Sequence, residues 1–164
     1  MSTATTTNVN IGLAAEQIGG VLETLKRHLA DTHVLYVKTR NYHWNVVGRD
    51  FQQLHQFFET QYTQLEASID EIAERIRSLG GDAPGSMVEF LQLASLKEEP
   101  GRRRGGDVML QQLLADHEAV IRSLRESVQR TDEQYGDAGT ADFLTGLLEG
   151  HEKMAWMIRA HTES

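Results

Sequence analysis

The segment 43-HWNVVGRDFQQLHQFFETQYTQLEASIDEIAE-74 holds the end of one helical pattern, a break and the body of a second. Gly48 interrupts the first pattern, and Asp50 stands where an N-cap is expected. From Phe51 onward, Leu54, Phe58, Tyr62, Leu65, Ile69, Ile72 and Ile76 recur in three- and four-residue steps. The spacing predicts a helix over about 50–78, capped by Asp50 and closed by Gly80-Gly81. On that helix His55 and Glu59 lie four residues apart, as do Asp70 and Glu74, so each pair shares a face. Fifteen residues separate His55 from Asp70, an axial distance of about 22 Å in a straight helix. One ion cannot bridge that gap. If both pairs serve one centre, they come from different chains. An antiparallel two-fold contact then sets His55 and Glu59 of one copy against Asp70 and Glu74 of another, with two equivalent sites per dimer. Together with His43, these residues offer nitrogen and oxygen donors suited to transition metals.

Upstream, Ile18, Leu22, Leu25, Leu29, Thr32 and Tyr36 mark a first helix over about 12–42. Downstream, Leu110, Leu113, Leu114, Val120, Ile121, Leu124 and Val128 mark a third over about 107–131. Phe143, Leu144, Leu147, Leu148, Met154, Ala155 and Ile158 mark a fourth over about 139–161. Both prolines, Pro84 and Pro100, fall in the middle stretch, where MVEFLQLA supplies only a short helical piece. Short breaks within each helix pair and one long central connection predict an all-α, ferritin-like four-helix bundle with a crossover containing a short helix. No Glu-x-x-His motif of the usual di-iron bundle occurs in the chain.

The chain has 164 residues and 40% hydrophobic content, enough for one domain with its own core. Its 16 Lys+Arg against 24 Asp+Glu leave a net charge of -8, which opposes a broad nucleic-acid footprint and favours the gathering of cations. The absence of cysteine excludes disulfides and thiolate ligands. No apolar run is long enough to span a membrane, so a cytoplasmic location is expected, nucleoid-associated only if DNA is bound. His117 and His151 are secondary ligand candidates, read first as packing or hydrogen-bonding groups; His28, His33 and His161 are read as structural. Asp132, Glu133, Asp137, Asp142, Glu149 and Glu152 form a pool of acids from which a cation path could be built.

KTRNYHWNVVGRDFQQLHQFFE followed by SIDEIAERIRSLGG resembles the Dps family, the DNA-binding proteins from starved cells, over about residues 14–161. The resemblance divides the chain into a flexible tail at 1–13, a ferritin-like Dps domain at 14–161 and a short tail at 162–164. It implies a hollow homododecamer of tetrahedral symmetry that oxidises Fe2+ with hydrogen peroxide and stores ferric mineral, protecting against oxidative damage. In that reading His43 and His55 are ligands from one subunit, and Asp70 and Glu74 are ligands from its two-fold mate. Glu59 helps bind or orient the second of two iron ions at each inter-subunit site, and Trp44 is the adjoining aromatic that receives oxidising equivalents. Zinc or manganese could occupy the same donors. The alternative is a non-enzymatic, DNA-compacting nucleoid protein. Against it, the first 25 residues contain no Lys or Arg, unlike the lysine-bearing arms of DNA-condensing relatives. Arg102, Arg103 and Arg104 are read as a solvated connector, and DNA binding is expected to be weak.

Overall fold

The computed structural model describes residues 9–101 and 105–163. Most of the expected N-terminal tail and all of Arg102–Arg104 lie outside the described residues. The chain forms α1 (Ala15–Asn45), α2 (Phe51–Ser78), α3 (Met87–Leu93), α4 (Gly106–Glu133) and α5 (Ala138–Thr162), with no strand among the described residues. Each long helix matches a periodic segment of the sequence. The largest difference is at α1, which continues through His43 to Asn45.

Two antiparallel hairpins, α1 with α2 and α4 with α5, pack face to face, and the crossover carries α3 onto α1. Leu25, Leu29, Leu35, Phe58, Leu65, Ile72, Ile76, Met109, Leu113, Leu124, Leu144 and Ile158 fill the shared interior. All but Leu35 and Met109 belong to the periodic residues read from the sequence, whose apolar area leaves water only when the helices meet.

The ends of α2 are built differently from each other. At the start Asp50 occupies the N-cap position, but its side chain accepts no capping hydrogen bond from the helix start. The turn is held by the main chain instead, with Phe51 N–H donating to Gly48 O at 3.2 Å while Gly48 takes a φ of 118°. At the finish Gly80 adopts a φ of 83°, its N–H reaches Arg77 O, and Gly81 N–H reaches Ile76 O. This paired closure satisfies carbonyls that the last turn leaves without partners. A Cβ on Gly81 would stand 2.6 Å from a Leu22 methyl, so the turn also seats α1.

Polar groups inside the bundle fix the relative heights of the helices. His28 Nε2 meets Ser127 Oγ at 2.8 Å, and ten residues further along α1, Lys38 Nζ donates to Asp116 Oδ2 at 2.7 Å. Both Lys38 and Asp116 are buried, so each charge depends on the other. Arg75 of α2 reaches across to Thr140 Oγ1 of α5 and stands 3.6 Å from Asp137, which caps α5 by accepting from Thr140 N–H. Arg75 is thus turned toward α5, not toward Glu71 on its own helix.

A buried carboxylate on α1 holds the crossover at Ser95 and Leu96. Asp31, buried on α1, accepts from Ser95 N–H at 2.7 Å, Ser95 Oγ–H at 2.8 Å and Leu96 N–H at 2.9 Å. Just before it, Ser86 and Glu89 cap α3 reciprocally, and Phe90 stacks on His33 with ring centroids 3.8 Å apart. Asp31→Ala should therefore destabilise the subunit by about 2–3 kcal/mol, since two backbone donors lose a charged acceptor. Denaturant unfolding and limited proteolysis would measure this, with new cleavage expected between α3 and α4. Unchanged stability and proteolysis would contradict the clamp.

Candidate metal centre

His43 belongs to the last turn of α1 and His55 to the second turn of α2, and the hairpin brings their rings together. The imidazoles stack with centroids 3.8 Å apart and planes 18° from parallel. Each donates to the other's main chain: His43 Nδ1–H to His55 O at 2.7 Å, and His55 Nδ1–H to His43 O at 2.7 Å. His43 O lies among the terminal carbonyls of α1 that have no partner within the helix, so His55 also completes that helix end. A carbonyl only accepts, which places the proton on both Nδ1 atoms and leaves both Nε2 atoms with a free lone pair. This is the tautomer that a metal ion requires, oriented in advance by the backbone.

A lone pair lies in the plane of its ring, so two nearly parallel rings do not converge on one ion. The pair instead offers two separate first ligands, a geometry suited to two ions. Phe51 stacks on His55 at 5.1 Å, and Tyr62 stands edge-on to His43 at 5.2 Å, which holds both rings from outside. Glu59 is exposed one turn beyond His55. The donor set fits an oxygen- and nitrogen-binding transition metal.

Asp70 and Glu74 are exposed on the same unbroken helix, toward its other end. Helical rise puts Asp70 about 22 Å along the axis from His55. Among the described residues, no group of three or more His, Asp or Glu side chains could hold a metal ion. The chain thus presents a histidine pair and a carboxylate pair, brought close to nothing that completes either.

Trp44, next to His43, is 62% exposed and lies beneath Arg40, whose guanidinium carbon is 4.8 Å from the indole centroid. The same guanidinium faces Tyr36 at 5.4 Å and Tyr62 at 5.6 Å. This cluster was not singled out in the sequence, although Tyr36, Arg40 and Trp44 follow four-residue spacing on one helix.

The secondary histidines are placed elsewhere. His117 and His151 meet in the bundle interior, Nδ1 to Nδ1 at 3.0 Å, and His33 and His161 lie against Phe90 and Phe57. Burial pushes His28 and His151 down to about 4, with Asp31 partly opposing it at His28 and His28 reinforcing it at His151. Burial, then the neighbouring His151, holds His117 well below its ordinary value. Of the acidic pool, Asp137 is buried as the α5 cap and Glu152 pairs with Arg125.

The ferritin-like domain family matches residues 22–164. A low temperature-induced protein of Nostoc sp., described as uncharacterized, is 52% identical over 94% of this chain and 87% of its own length. DNA protection during starvation protein 2 of Bacillus anthracis is 38% identical over 85% of this chain and 94% of its own. Among solved structures, the Dps protein of Vibrio cholerae O1, described as a member of a broad superfamily of ferritin-like diiron-carboxylate proteins, superposes with a TM-score of 0.88. It is 33% identical and covers 99% of this chain and 100% of that one.

The buried histidines make stability depend on pH in a defined direction. Between the ordinary value of 6.5 and about 4, the unfolded chain binds protons that the folded core refuses. Stability should be full above 6.5, fall as the pH drops through that window and remain at the lower level below it. The loss is on the order of 3 kcal/mol for each of His28 and His151. Denaturant midpoints measured from neutral pH to pH 4 should follow this course, and the double variant His117→Leu/His151→Leu should make it shallower while leaving the His28 contribution. A wild-type profile already flat across the window would contradict this account.

Proposed function

Because the chain belongs to the Dps family of ferritin-like proteins, we propose that it is a ferroxidase and iron store that oxidises Fe2+ with hydrogen peroxide at sites shared between subunits. The observation that carries this reading is the clasped histidine pair, two rings with both metal-binding nitrogens free and both orientations fixed by main-chain carbonyls. Family membership supports an iron-oxidising or iron-storing role. The residue assignments are inferred from this chain's own geometry together with the resemblance.

His43 and His55 each give Nε2 to one of two Fe2+ ions. Asp70 and Glu74 of a two-fold-related copy supply the carboxylates, and Glu59 binds or orients the second ion. The helix bearing Asp70 is the same rigid rod that bears His55, so one antiparallel contact completes two centres at once. Twelve subunits close into a hollow shell in which ferric product collects, and the -8 charge of each chain favours entry of cations. Two Fe2+ ions give one electron each, and one peroxide takes both electrons and two protons to become two waters. Neutral imidazoles and anionic carboxylates suit the ferric product because they offset its extra positive charge. Zinc or manganese bound to the same donors would compete with iron and would not deliver those electrons under the same conditions.

The Bacillus anthracis relative carries DNA protection in its name. For this chain, removal of peroxide and Fe2+ together would protect DNA without touching it, which accords with the acidic charge and the Lys- and Arg-free N-terminal 25 residues.

Anaerobic loading with Fe2+ followed by peroxide titration should give two Fe2+ oxidised per peroxide. His43→Ala and Asp70→Ala should each lower the rate by roughly tenfold or more, with shell mass by native mass spectrometry unchanged. Shells reassembled from a mixture of the two variants should recover up to about a quarter of wild-type activity, because some two-fold contacts then join intact histidines to intact carboxylates. A mixture as inactive as its components would exclude a shared centre.

A further inference from the structure

The contacts that hold the histidine pair continue away from it as a chain of redox-active side chains. His43 meets the Tyr62 ring edge-on at 5.2 Å, and Tyr62 meets Tyr36 edge-on at 6.0 Å. The Tyr36 hydroxyl accepts from Arg40 Nη1 at 3.0 Å and donates toward Glu66 Oε1 at 3.5 Å. Every step joins groups in or near van der Waals contact, the range in which electrons tunnel quickly between rings.

We propose that Tyr62 and Tyr36 form a one-electron relay leading out of the metal centre, with Tyr36 as its terminus and Glu66 as the acceptor of the Tyr36 proton. The relay rests on the ferroxidase reading given above and serves the case that reading leaves open, a peroxide arriving when only one Fe2+ is bound. Peroxide needs two electrons, and a single Fe2+ supplies one. The second comes from Tyr36, tunnelling across the Tyr62 ring, which is not itself oxidised and keeps its proton. In total, one peroxide, one Fe2+, one tyrosine and one solvent proton give two waters, one Fe3+ and one neutral tyrosyl radical. The phenol's own proton passes to the Glu66 carboxylate and from there to water.

Electrostatics selects Tyr36 over Trp44, the other oxidisable ring beside His43. Indole loses an electron to form a cation radical, and Arg40 already places a permanent positive charge 4.8 Å from the Trp44 centroid. A phenol avoids that repulsion only if its proton leaves with the electron. Arg40 cannot take the proton, since guanidinium is always charged and has no acceptor. Its bond to the Tyr36 oxygen leaves the O–H free to point at the Glu66 carboxylate. Arg40 is thus a positioning residue that both disfavours oxidation at Trp44 and orients the proton transfer at Tyr36.

The test is freeze-quench electron paramagnetic resonance on the assembled protein, loaded anaerobically with one Fe2+ per histidine pair or with two, then mixed with peroxide. At the lower loading a radical signal is expected whose hyperfine structure collapses when the protein is made with ring-deuterated tyrosine. That isotopic arm needs no substitution. Tyr36→Phe should lose the signal, Tyr62→Ala and Glu66→Gln should weaken it, and Trp44→Phe should retain it. Peptide mass spectrometry after repeated cycles should find oxidation at Tyr36 before Trp44. A signal indifferent to deuterated tyrosine, or one abolished by Trp44→Phe and kept in Tyr36→Phe, would overturn the relay. Peroxide consumed at two Fe2+ with no tyrosine-derived signal at one would overturn the relay and leave the ferroxidase reading standing. No peroxide consumed at either loading would overturn both.

Discussion

An α-helix advances a fixed distance with each residue and does not fold back on itself, and much of this molecule's design follows from that rigidity. α2 has no glycine or proline within Phe51–Ser78 and runs unbroken, so its two candidate donor pairs, His55 with Glu59 and Asp70 with Glu74, are held apart by the helix that carries them. The bundle interior holds none of these four side chains. It is packed with leucine, isoleucine and phenylalanine around a few paired polar groups, and the donors stand at the surface and at the hairpin end. Under the proposed function, such a chain gains a complete centre only from a second copy, which would link assembly to chemistry.

The polar contacts that remain inside are few and directional. His28 with Ser127 and Lys38 with Asp116 tie α1 to α4 at two heights, while Arg75 ties α2 to the cap of α5. Apolar faces tolerate sliding by a turn with modest loss, but a buried charge that loses its partner does not. These pairs therefore fix the register of the hairpins. They also hold α1 at the height where His43 meets His55.

The helices and their inward faces were legible in the sequence because periodicity reports which side of a helix leaves water, whatever that side packs against. The ferritin-like topology followed from the lengths of the breaks. Other features depend on partners far along the chain. Lys38 interrupts an apolar stripe, and nothing near it indicates that Asp116 neutralises it. Asp50 has the residue type of a cap, yet the Gly48 turn satisfies the helix start through the main chain, so its side chain is not needed there. The candidate donors were identifiable by type and spacing. Their tautomers were not, because the proton position on each histidine is set by a carbonyl that only folding brings within reach. The Arg40 cluster was hidden for a related reason: Tyr62 reaches it from the neighbouring helix.

For the proposed ferroxidase, the reciprocal bonds between His43 and His55 have a consequence for turnover. Each Nδ1 is held by backbone that is already part of a helix, so neither ring depends on a bound ion for its orientation. Departure of the ion strands no donor on the Nδ1 side and requires no movement of the main chain. If the pair binds iron as proposed, its orientation is the same before and after an ion arrives, and such a centre would reset without a conformational cycle.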